Sequence, residues 1–548
     1  MMRWLAALIL ALGTLTVLGC PSEEPPADDD DATGDDDDST DDPLYMTDAE
    51  FEQASDIYFQ RCAGCHGTLR TGATGPNIAP EASQALGTAA LVEILTNGTD
   101  AGMPPFGQLG ILSETEIELI SIFIQKDPPT PPSLDIMDIE DSWDLIVPVA
   151  DRPTAPEGTR DWENYFGVIL RDAGQVAVMD GDTYEQVALL DSGYAVHILR
   201  SSKDGRYFYT VGRDGRVTMI DLWSDPPVTV AEVKGCIDAR SVDSSKYTGY
   251  EGQYLIEGCY WPPQYVVFDG QTLEPLADVV STSMNGVGGD EEFIEENRVA
   301  AIVASQQDPV WVVNLKESGH VAIVDYSDPT FPMTATIETA RYLHDGGFDS
   351  TGRYFLTAAN ASNQMVVVDV QDQELEQIFE TGAIPHPGRG ANWEDPTYGW
   401  VNATTHIGEG KMTVYGADPE NNAADAWSIV REVEVETGGL FVKTHPNSPW
   451  VWVDSPLNSD EEKTRQICVY EKATGTINSC MTPVSQGRTV HFEYNADGTE
   501  VWVSGWDAQG TLVIYDDATL TEVGRVEGAW LVTPTGKFNV TNTREDIY

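Results

Sequence analysis

The sequence predicts a small all-α domain followed by an all-β eight-bladed propeller. Residues 44–127 place apolar side chains at helical spacing, whereas the chain from about residue 160 consists of short β-branched runs broken by Gly, Asp and Pro. In this second region an apolar strand that ends in an acidic residue, or a close substitute, recurs eight times. A chain of 548 residues is long enough for several domains or for one large repeat architecture.

The first 43 residues are typical of an export signal and a tether. Residues 1–19 contain a short apolar run that is not long enough for a comfortable transmembrane span, and Cys20 follows directly, which predicts a lipoprotein signal peptide. Residues 20–43 are rich in Pro and Asp and cannot bury a core, so we predict a disordered, self-repelling tether. The membrane is then reached only through a lipid on Cys20.

The helical domain carries a motif for a covalently bound cofactor. Cys62-Ala63-Gly64-Cys65-His66 is the attachment signature of haem c, in which both thiols form thioethers and His66 ligates the iron. Met103 follows 37 residues later and is the candidate for the second axial ligand. A zinc or redox interpretation of Cys-x-x-Cys explains neither the adjoining histidine nor this methionine. Residues 44–127 are therefore predicted to be a small cytochrome c domain.

The limits of this domain follow from helix signals. Ser113 and Glu116 form a capping box that opens the last helix. The first helix places three apolar residues on one face: Phe51, Ala54 and Tyr58. Several prolines begin at Pro128, so residues 128–159 are predicted to be a Pro-rich linker.

Residues 160–548 are predicted to form the propeller. Each repeat ends a strand at one of eight positions: Asp180, Asp221, Asp269, Asp325, Asp369, Gly416, Glu471 and Asp516. The mean spacing is 48 residues, close to one four-stranded blade, and a solenoid with this repeat is a less economical alternative. The strand-like stretch 536–542 is expected to close the ring against the first blade, because closure removes exposed edges.

Four cysteines outside the haem motif predict two structural disulfides. Cys468 and Cys480 flank a short turn almost symmetrically, and Cys236 and Cys259 fall on consecutive strand-like runs. An exported protein permits disulfides. Spacing suggests this connectivity without proving it.

The remaining chemistry rests on a few histidines and arginines. His197 stands three residues before Arg200, and His386 stands three residues before Arg389; Arg213 is a further candidate. Several guanidiniums and one imidazole suit a macrocycle with carboxylate substituents and a central iron. The alternative is that the arginines pair with the chain's own carboxylates and that the histidines are packed structurally.

Long strings of the chain resemble the cytochrome cd1 nitrite reductase family over nearly all residues after 44. The matching strings are YFQRCAGCHG (58–67), LRDAG (170–174), GYAVHI (193–198), MIDLW (219–223), YWPPQ (260–264), LHDGG (343–347), HPGRGAN (386–392) and TPTGKFNV (533–540). The resemblance implies a cytochrome c domain and an eight-bladed propeller that holds non-covalent haem d1. It also implies a periplasmic homodimer that reduces nitrite to nitric oxide.

The resemblance assigns roles by position. His66 and Met103 would ligate haem c, and His197 would be the proximal ligand of haem d1. His386 would supply protons on the opposite face, where nitrite binds; loss of water needs an acid, and histidine titrates near neutrality. Further haem d1 contacts are implied at Arg200, Arg213, Arg240, Tyr260, Arg389 and Thr535.

One position departs from the family pattern. The family normally has two histidines over the distal face, and Gln306 stands where we expect the second. Glutamine can donate a hydrogen bond but is not an acid near pH 7. His491 stands where relatives carry glutamine, so we hypothesise a His/Gln exchange that keeps two imidazoles near the pocket and makes both residues catalytic candidates. The alternative is two unrelated substitutions.

The charge of the chain limits the partners. The formal net charge is −60 with only 30 Lys and Arg, so no nucleic-acid partner is expected. The acidic surface favours an electron donor with a basic patch, and a small cytochrome c or a cupredoxin is the expected donor.

Three rival functions remain open from the sequence. A haem d1 maturation enzyme would share the propeller, and a d1-carrying electron relay or nitric oxide sensor would bind ligands without turnover. A quinone-cofactor dehydrogenase fused to a cytochrome would share eight blades but would lack a second iron porphyrin.

Overall fold

The computed structural model describes residues 43–72, 75–99, 103, 105–108, 111–280, 284–288 and 293–548. A helical part is followed by eight four-stranded antiparallel sheets, which confirms the predicted fold class. The predicted signal peptide, the lipidation site at Cys20 and residues 20–42 of the tether lie outside the described residues. Within the described ranges, no helix is long and apolar enough to cross a membrane.

The helices begin where the sequence places caps. Thr47 and Glu50 form a capping box at α1, and Ser113 and Glu116 form the predicted one at α5. Both helices bury their apolar faces in one cluster, which includes Tyr58 at 1 % exposure. The helices are α1 (Asp48–Arg61), α2 (Ala63–His66), α3 (Pro80–Leu86), α4 (Thr88–Asn97), α5 (Glu114–Phe123), α6 (Ile136–Ser142) and α7 (Val540–Arg544).

The eight sheets form the blades of the propeller, and each contains four strands in hydrogen-bonded order. In chain order, the strands of blades one to four are β1 (Tyr165–Leu170), β2 (Gln175–Asp180), β3 (Gln186–Asp191); β4 (Ile198–Ser201), β5 (Tyr207–Val211), β6 (Arg216–Asp221), β7 (Val228–Lys234); β8 (Asp238–Ser244), β9 (Tyr254–Trp261), β10 (Gln264–Asp269), β11 (Pro275–Val280); and β12 (Val299–Ala304), β13 (Val310–Leu315), β14 (His320–Asp325), β15 (Met333–Glu338). Those of blades five to eight are β16 (Leu343–Phe348), β17 (Tyr354–Ala359), β18 (Gln364–Asp369), β19 (Glu374–Glu380); β20 (Pro385–Asp395), β21 (Gly399–His406), β22 (Lys411–Gly416), β23 (Ile429–Glu434); β24 (Val442–Lys443), β25 (Trp450–Asp454), β26 (Ile467–Glu471), β27 (Thr476–Met481); and β28 (Arg488–Tyr494), β29 (Glu500–Trp506), β30 (Thr511–Asp516), β31 (Thr521–Glu527). The last strand, β32 (Pro534–Asn539), completes blade one.

The ring closes as predicted, because β32 pairs with β1. The closing strand ends at Asn539 rather than continuing to residue 542. The side chain of Asn539 accepts a hydrogen bond from the backbone of Asn542 and so caps α7. The core lies between successive blades, where Trp311, Trp452 and Trp502 are fully buried.

The eight repeat positions are each the last residue of the third strand of a blade, counted from the axis. The acidic side chains there cap the turn into the outer strand. Asp180, Asp269 and Asp369 each accept hydrogen bonds through Oδ1 from the backbone amides two and three residues on. This turn chemistry explains why the repeat is visible in the sequence.

Both predicted disulfides are present. Cys236 is bonded to Cys259, and Cys468 is bonded to Cys480. The second pair lies directly across β26 and β27, as expected for a hairpin.

The segment predicted as a linker, residues 128–159, packs on the propeller. Its helix α6 is followed by Trp143, whose indole donates a hydrogen bond to the carbonyl of Thr272 at 2.8 Å. The indole of Trp261 donates in turn to the carbonyl of Pro132 at 2.7 Å. This segment therefore connects the helical part to the propeller along a defined path.

Candidate active site

The first site is the haem c motif, at the end of α1 and in α2. Cys62 and Cys65 are the free thiols among the described cysteines. The carbonyl of Pro76 lies 2.9 Å from Nδ1 of His66 and can only accept, so Nδ1 carries the proton and Nε2 is free to ligate iron. Burial lowers the pKa of His66, which favours the neutral ligand. Met103 packs against the same helical core, and these residues fit a covalently attached haem c.

The second site is a cavity at the axis of the propeller. Its open space, including the mouth, is about 1480 Å³, and its lining comes mainly from the innermost strand of successive blades. Seven of the predicted site residues line it: His197, Arg200, Arg240, His386, Arg389, His491 and Thr535.

Backbone irregularities direct many of these side chains to the axis. Arg240 is an extra residue at a register shift in β8, and His491 is an extra residue in β28. His344 and Asp345 fall together in a shift of β16, and Arg389 falls in a longer shift of β20. Bulges re-aim side chains and are common beside active sites. The cavity is thus lined by residues that leave the regular alternation of their strands.

The arginines in the cavity differ in their anionic partners: Arg171 pairs with Asp172 at 2.7 Å and Arg389 lies 3.6 Å from Asp243, whereas Arg200 and Arg240 form no ion pair with another described residue. The Nε atom of Arg200 is buried without a hydrogen-bond partner in the described structure, and burial lowers the pKa of this guanidinium to about 10. Buried cations are unfavourable unless an anion pairs with them, and guanidiniums bind carboxylates bidentately. The acidic substituents of haem d1 therefore fit Arg200 and Arg240 best, and Arg171 and Arg389 add positive charge to the same lining.

His197 is suited to ligate iron in this cavity. Burial, with Arg240 and Arg213 nearby, lowers the pKa of His197 well below its usual value. The imidazole is therefore neutral at physiological pH and offers a lone pair to a metal. Its donor chemistry fits the central iron of a macrocycle.

Asp345 and His386 of the cavity lining form a cluster with His344, which is buried and is not itself a lining residue. Nδ1 of His344 is 2.9 Å from Oδ1 of Asp345, and Nε2 of His386 is 3.4 Å from its Oδ2. Nδ1 of His386 donates to the carbonyl of Leu440 at 2.7 Å, which fixes the ring. Burial would raise the pKa of Asp345, but the two imidazoles hold it well below its usual range. Burial lowers the pKa of His344 to about 3.

The structure corrects the expected position of Gln306. Gln306 is not among the residues that line the cavity; its Nε2 donates to Asp546 at 2.8 Å, and its Oε1 accepts from Lys203 at 2.9 Å. The imidazole beside His386 belongs to His344, with ring centroids 5.0 Å apart. No second histidine is missing from this wall.

His491 lies elsewhere in the lining. Phe441 packs between His386 and His491, with its ring centroid 5.8 Å from that of His386 and 4.8 Å from that of His491. Burial lowers the pKa of His491 well below its usual value. His344 already brings a second imidazole to His386 without His491, and the His/Gln exchange stays a prediction.

Two further predicted contacts of haem d1 lie outside the described lining. Arg213 forms a two-pronged ion pair with Asp238, at 2.8 and 2.7 Å, and packs against Gly64 of the haem c motif. Its guanidinium also lies 5.2 Å from the ring centroid of Tyr260. Both residues therefore belong to the contact between the helical part and the propeller.

Sequence reasoning missed several residues of the lining. Asp345, which lines the cavity, and its neighbour His344, which does not, stand in the string LHDGG, which carried the family resemblance, yet neither was assigned a role. The other missed residues include Arg171, Phe441, Trp506, Asp546 and Tyr548. Their adjacency depends on contacts between blades that no local pattern reveals.

Comparison with known proteins agrees with this geometry. The family described as "Cytochrome D1 heme domain" matches residues 160–543, and that described as "Cytochrome C oxidase, cbb3-type, subunit III" matches residues 49–124. The chain is 45% identical over 535 residues to a nitrite reductase of Stutzerimonas stutzeri, covering 92% of this chain and 95% of the relative.

Another relative is named for a different reaction. The chain is 29% identical over 488 residues to a dihydro-heme d1 dehydrogenase of Pseudomonas aeruginosa, covering 89% of this chain and 93% of that protein. The solved structure of dihydro-heme d1 dehydrogenase NirN in complex with DHE matches with a TM-score of 0.70 and 28% identity, covering 90% of this chain and all of that one. With both domains matched in sequence, this chain belongs to the cytochrome cd1 family, and its cofactors are a covalent haem c and haem d1.

Proposed function

We propose that this protein is a respiratory nitrite reductase that converts nitrite, two protons and one electron to nitric oxide and water. The carrying observation is the pair His344 and His386, joined by Asp345, in an arginine-lined cavity. The 45% identity to a nitrite reductase supports the same reaction. When bound, haem d1 supplies the iron at which nitrite is held and reduced, with electrons delivered through haem c.

The residues of the cavity have separate roles in this proposal. Arg200, Arg240 and Arg389 hold the carboxylates of the macrocycle, and His197 ligates its iron. The arginines also give the cavity a positive field that attracts an anionic substrate into an otherwise acidic protein. Thr535 contacts the macrocycle from the closing strand.

The two protons come from His386, which lines the cavity and whose Nε2 lies 3.4 Å from the carboxylate of Asp345. Burial lowers the pKa of His344 to about 3, so this ring is neutral at physiological pH and positions Asp345. His491 is a neutral contact in the wall rather than an acid. Gln306 acts as a positioning residue for Asp546.

We also propose the setting of this reaction. The protein is exported to the periplasm, anchored by a lipid on Cys20, and works as a homodimer. Its donor is a small cytochrome c or a cupredoxin with a basic surface, since the chain carries a net charge of −60.

An alternative proposal is oxidation of dihydro-haem d1, or ligand binding and electron transfer by haem d1 without turnover. The similarity to dihydro-heme d1 dehydrogenase supports oxidation, with 29% sequence identity and a TM-score of 0.70 to its solved structure. The deciding experiment measures nitric oxide formed from nitrite by the purified, d1-loaded protein with a reduced donor. Sustained turnover supports nitrite reduction. A loaded protein that forms no nitric oxide contradicts it, and a parallel assay with dihydro-haem d1 then separates the alternatives.

A further inference from the structure

We propose that His344, Asp345 and His386 also form a binding site for one divalent transition-metal ion, with Zn²⁺ and Cu²⁺ as the best-matched ions. Two imidazoles and one carboxylate are the ligand types that these ions take in proteins. The site lies in the cavity wall and requires neither haem d1 nor nitrite, so it is independent of the proposed function.

The distances suit a small ion. One ligand atom from each of the three residues lies within 4.8 Å of the others. Metal–ligand bonds of about 2.0–2.2 Å place neighbouring ligand atoms roughly 3–3.5 Å apart. The contacts of Asp345 with the two rings, at 2.9 and 3.4 Å, already lie close to that range.

The ring of His386 is oriented as in a metal ligand. Its Nδ1–H donates to the carbonyl of Leu440, so in the neutral ring Nε2 carries a lone pair. That lone pair faces Oδ2 of Asp345, which is also an acceptor. Two acceptors face each other favourably only when a proton or a metal ion lies between them, and a backbone carbonyl behind the ring is the usual second contact of a metal-bound histidine.

His344 provides an independent observation. The side chain is only 5% exposed, and Nδ1 has no aligned hydrogen bond although it lies 2.9 Å from Oδ1 of Asp345. A buried polar nitrogen without a hydrogen bond is costly. A metal ion between His344 and Asp345 would satisfy this nitrogen.

One neighbour opposes binding. Nη2 of Arg240 lies 3.5 Å from Nε2 of His344, and a guanidinium repels a dication. The charge of Asp345 offsets part of this repulsion, and the remaining coordination positions face the cavity, where water or a small anion completes the sphere. We therefore expect tighter binding in the presence of chloride than in its absence.

Metal binding has a functional consequence, which rests on the proposed function. The ion would occupy Nε2 of His386, which delivers protons in the proposed nitrite reduction. Zn²⁺ should therefore inhibit the loaded enzyme, and a chelator should restore its activity.

The test uses the full chain with haem c attached and haem d1 omitted, titrated with zinc sulfate by calorimetry. The wild type should show one site that weakens at least tenfold in His344→Ala and in His386→Ala. His320→Ala is the matched control, because His320 is a buried histidine hydrogen-bonded to Ser318 outside this cluster, and it should retain the site. Equal affinity in wild type and both cluster variants would overturn the proposal.

Two further measurements protect the test against misfolded variants. Asp345→Asn keeps the shape of the side chain but removes its charge, so it should also weaken zinc binding. Electron paramagnetic resonance of the wild type with one equivalent of Cu²⁺ should show coupling to two imidazole nitrogens. A spectrum without two nitrogen ligands would contradict the site without any substitution.

Discussion

His344 and His386 lie on the inner strands of neighbouring blades, and the carboxylate of Asp345 contacts both rings. The contact exists because β16 leaves its regular register at His344 and Asp345, whereas His386 is the last in-register residue before the shift of β20. A regular strand would alternate its side chains between the two faces of the blade. The bulge of β16 instead brings both His344 and Asp345 next to His386.

This pairing predicts that both histidines are needed for proton delivery. His386→Ala should lower nitric oxide production from nitrite by about 10²-fold or more, the usual contribution of a general acid. His344→Ala removes the neutral ring that positions Asp345 and should lower the rate as well. His320→Ala should change the rate less than twofold, because His320 is hydrogen-bonded to Ser318 outside this cluster. The rates are measured with equal haem d1 content. A His344→Ala enzyme as fast as the His320→Ala control would contradict this role.

Gln306 should matter for stability rather than for turnover. Gln306→Ala removes the hydrogen bonds to Lys203 and Asp546, both of which remain part-buried. Loss of such partners costs about 1–3 kcal/mol, so the thermal midpoint should fall while nitrite turnover stays within about threefold of wild type. If Gln306→Ala lost as much nitrite turnover as His386→Ala while its thermal midpoint stayed unchanged, Gln306 would have a catalytic role.

The sequence was sufficient for features that depend on local chemistry. The haem c motif, the blade repeat at Asp180 and its counterparts, and the Cys468–Cys480 bridge each follow from residues close in the chain. The partner of His386 could not be predicted in this way, because it lies at a bulge. A bulge changes which side chains face the axis, since a shift of one residue in register exchanges the two faces of a strand. The family pattern therefore pointed to Gln306, although the imidazole next to His386 belongs to His344.

Arg213 should control electron transfer between the two domains. Its guanidinium packs against Gly64 of the haem c motif and pairs with Asp238 on the propeller. Arg213→Ala leaves a buried carboxylate unpaired and loosens this contact, so transfer from haem c to haem d1 should slow several-fold in stopped-flow experiments. Arg216→Ala is the matched control, since Arg216 is exposed and its ion-pair distance is 3.9 Å. Equal rates in the two variants would exclude the contact from the electron path.

Asp454 should hold the cavity wall together. Its Oδ1 accepts from the backbone amides of Leu440 and Phe441 at 2.8 Å, and its Oδ2 accepts from that of His491 at 3.0 Å. Asp454→Ala leaves three buried donors unpaired, which should lower stability by about 3 kcal/mol and weaken retention of haem d1. Asp454→Asn keeps one acceptor and should show an intermediate loss. Cofactor retention is measured by absorbance after gel filtration, and full retention by the alanine variant would contradict the role.

Lys537 should make stability depend on pH. Its Nζ is buried and donates to Ser504 at 2.8 Å and to the carbonyl of His491 at 3.0 Å, and burial lowers its pKa to about 7 from 10.5. Between pH 7 and 10.5 the unfolded chain binds a proton on this lysine that the folded protein does not. The free energy of unfolding should therefore rise with pH in this window, by up to about 1.4 kcal/mol per pH unit.

Lys537→Met isolates this contribution. The variant removes the buried amine, so its unfolding free energy should rise less steeply than that of wild type between pH 7.5 and 9.5 in denaturant titrations. Lys234→Met removes an exposed lysine and should follow the wild-type slope. Groups that titrate in all three proteins cancel in the comparison. Parallel curves for wild type and Lys537→Met would mean that Lys537 stays protonated in the folded state, where its charge is then balanced by Glu493 and Asp454.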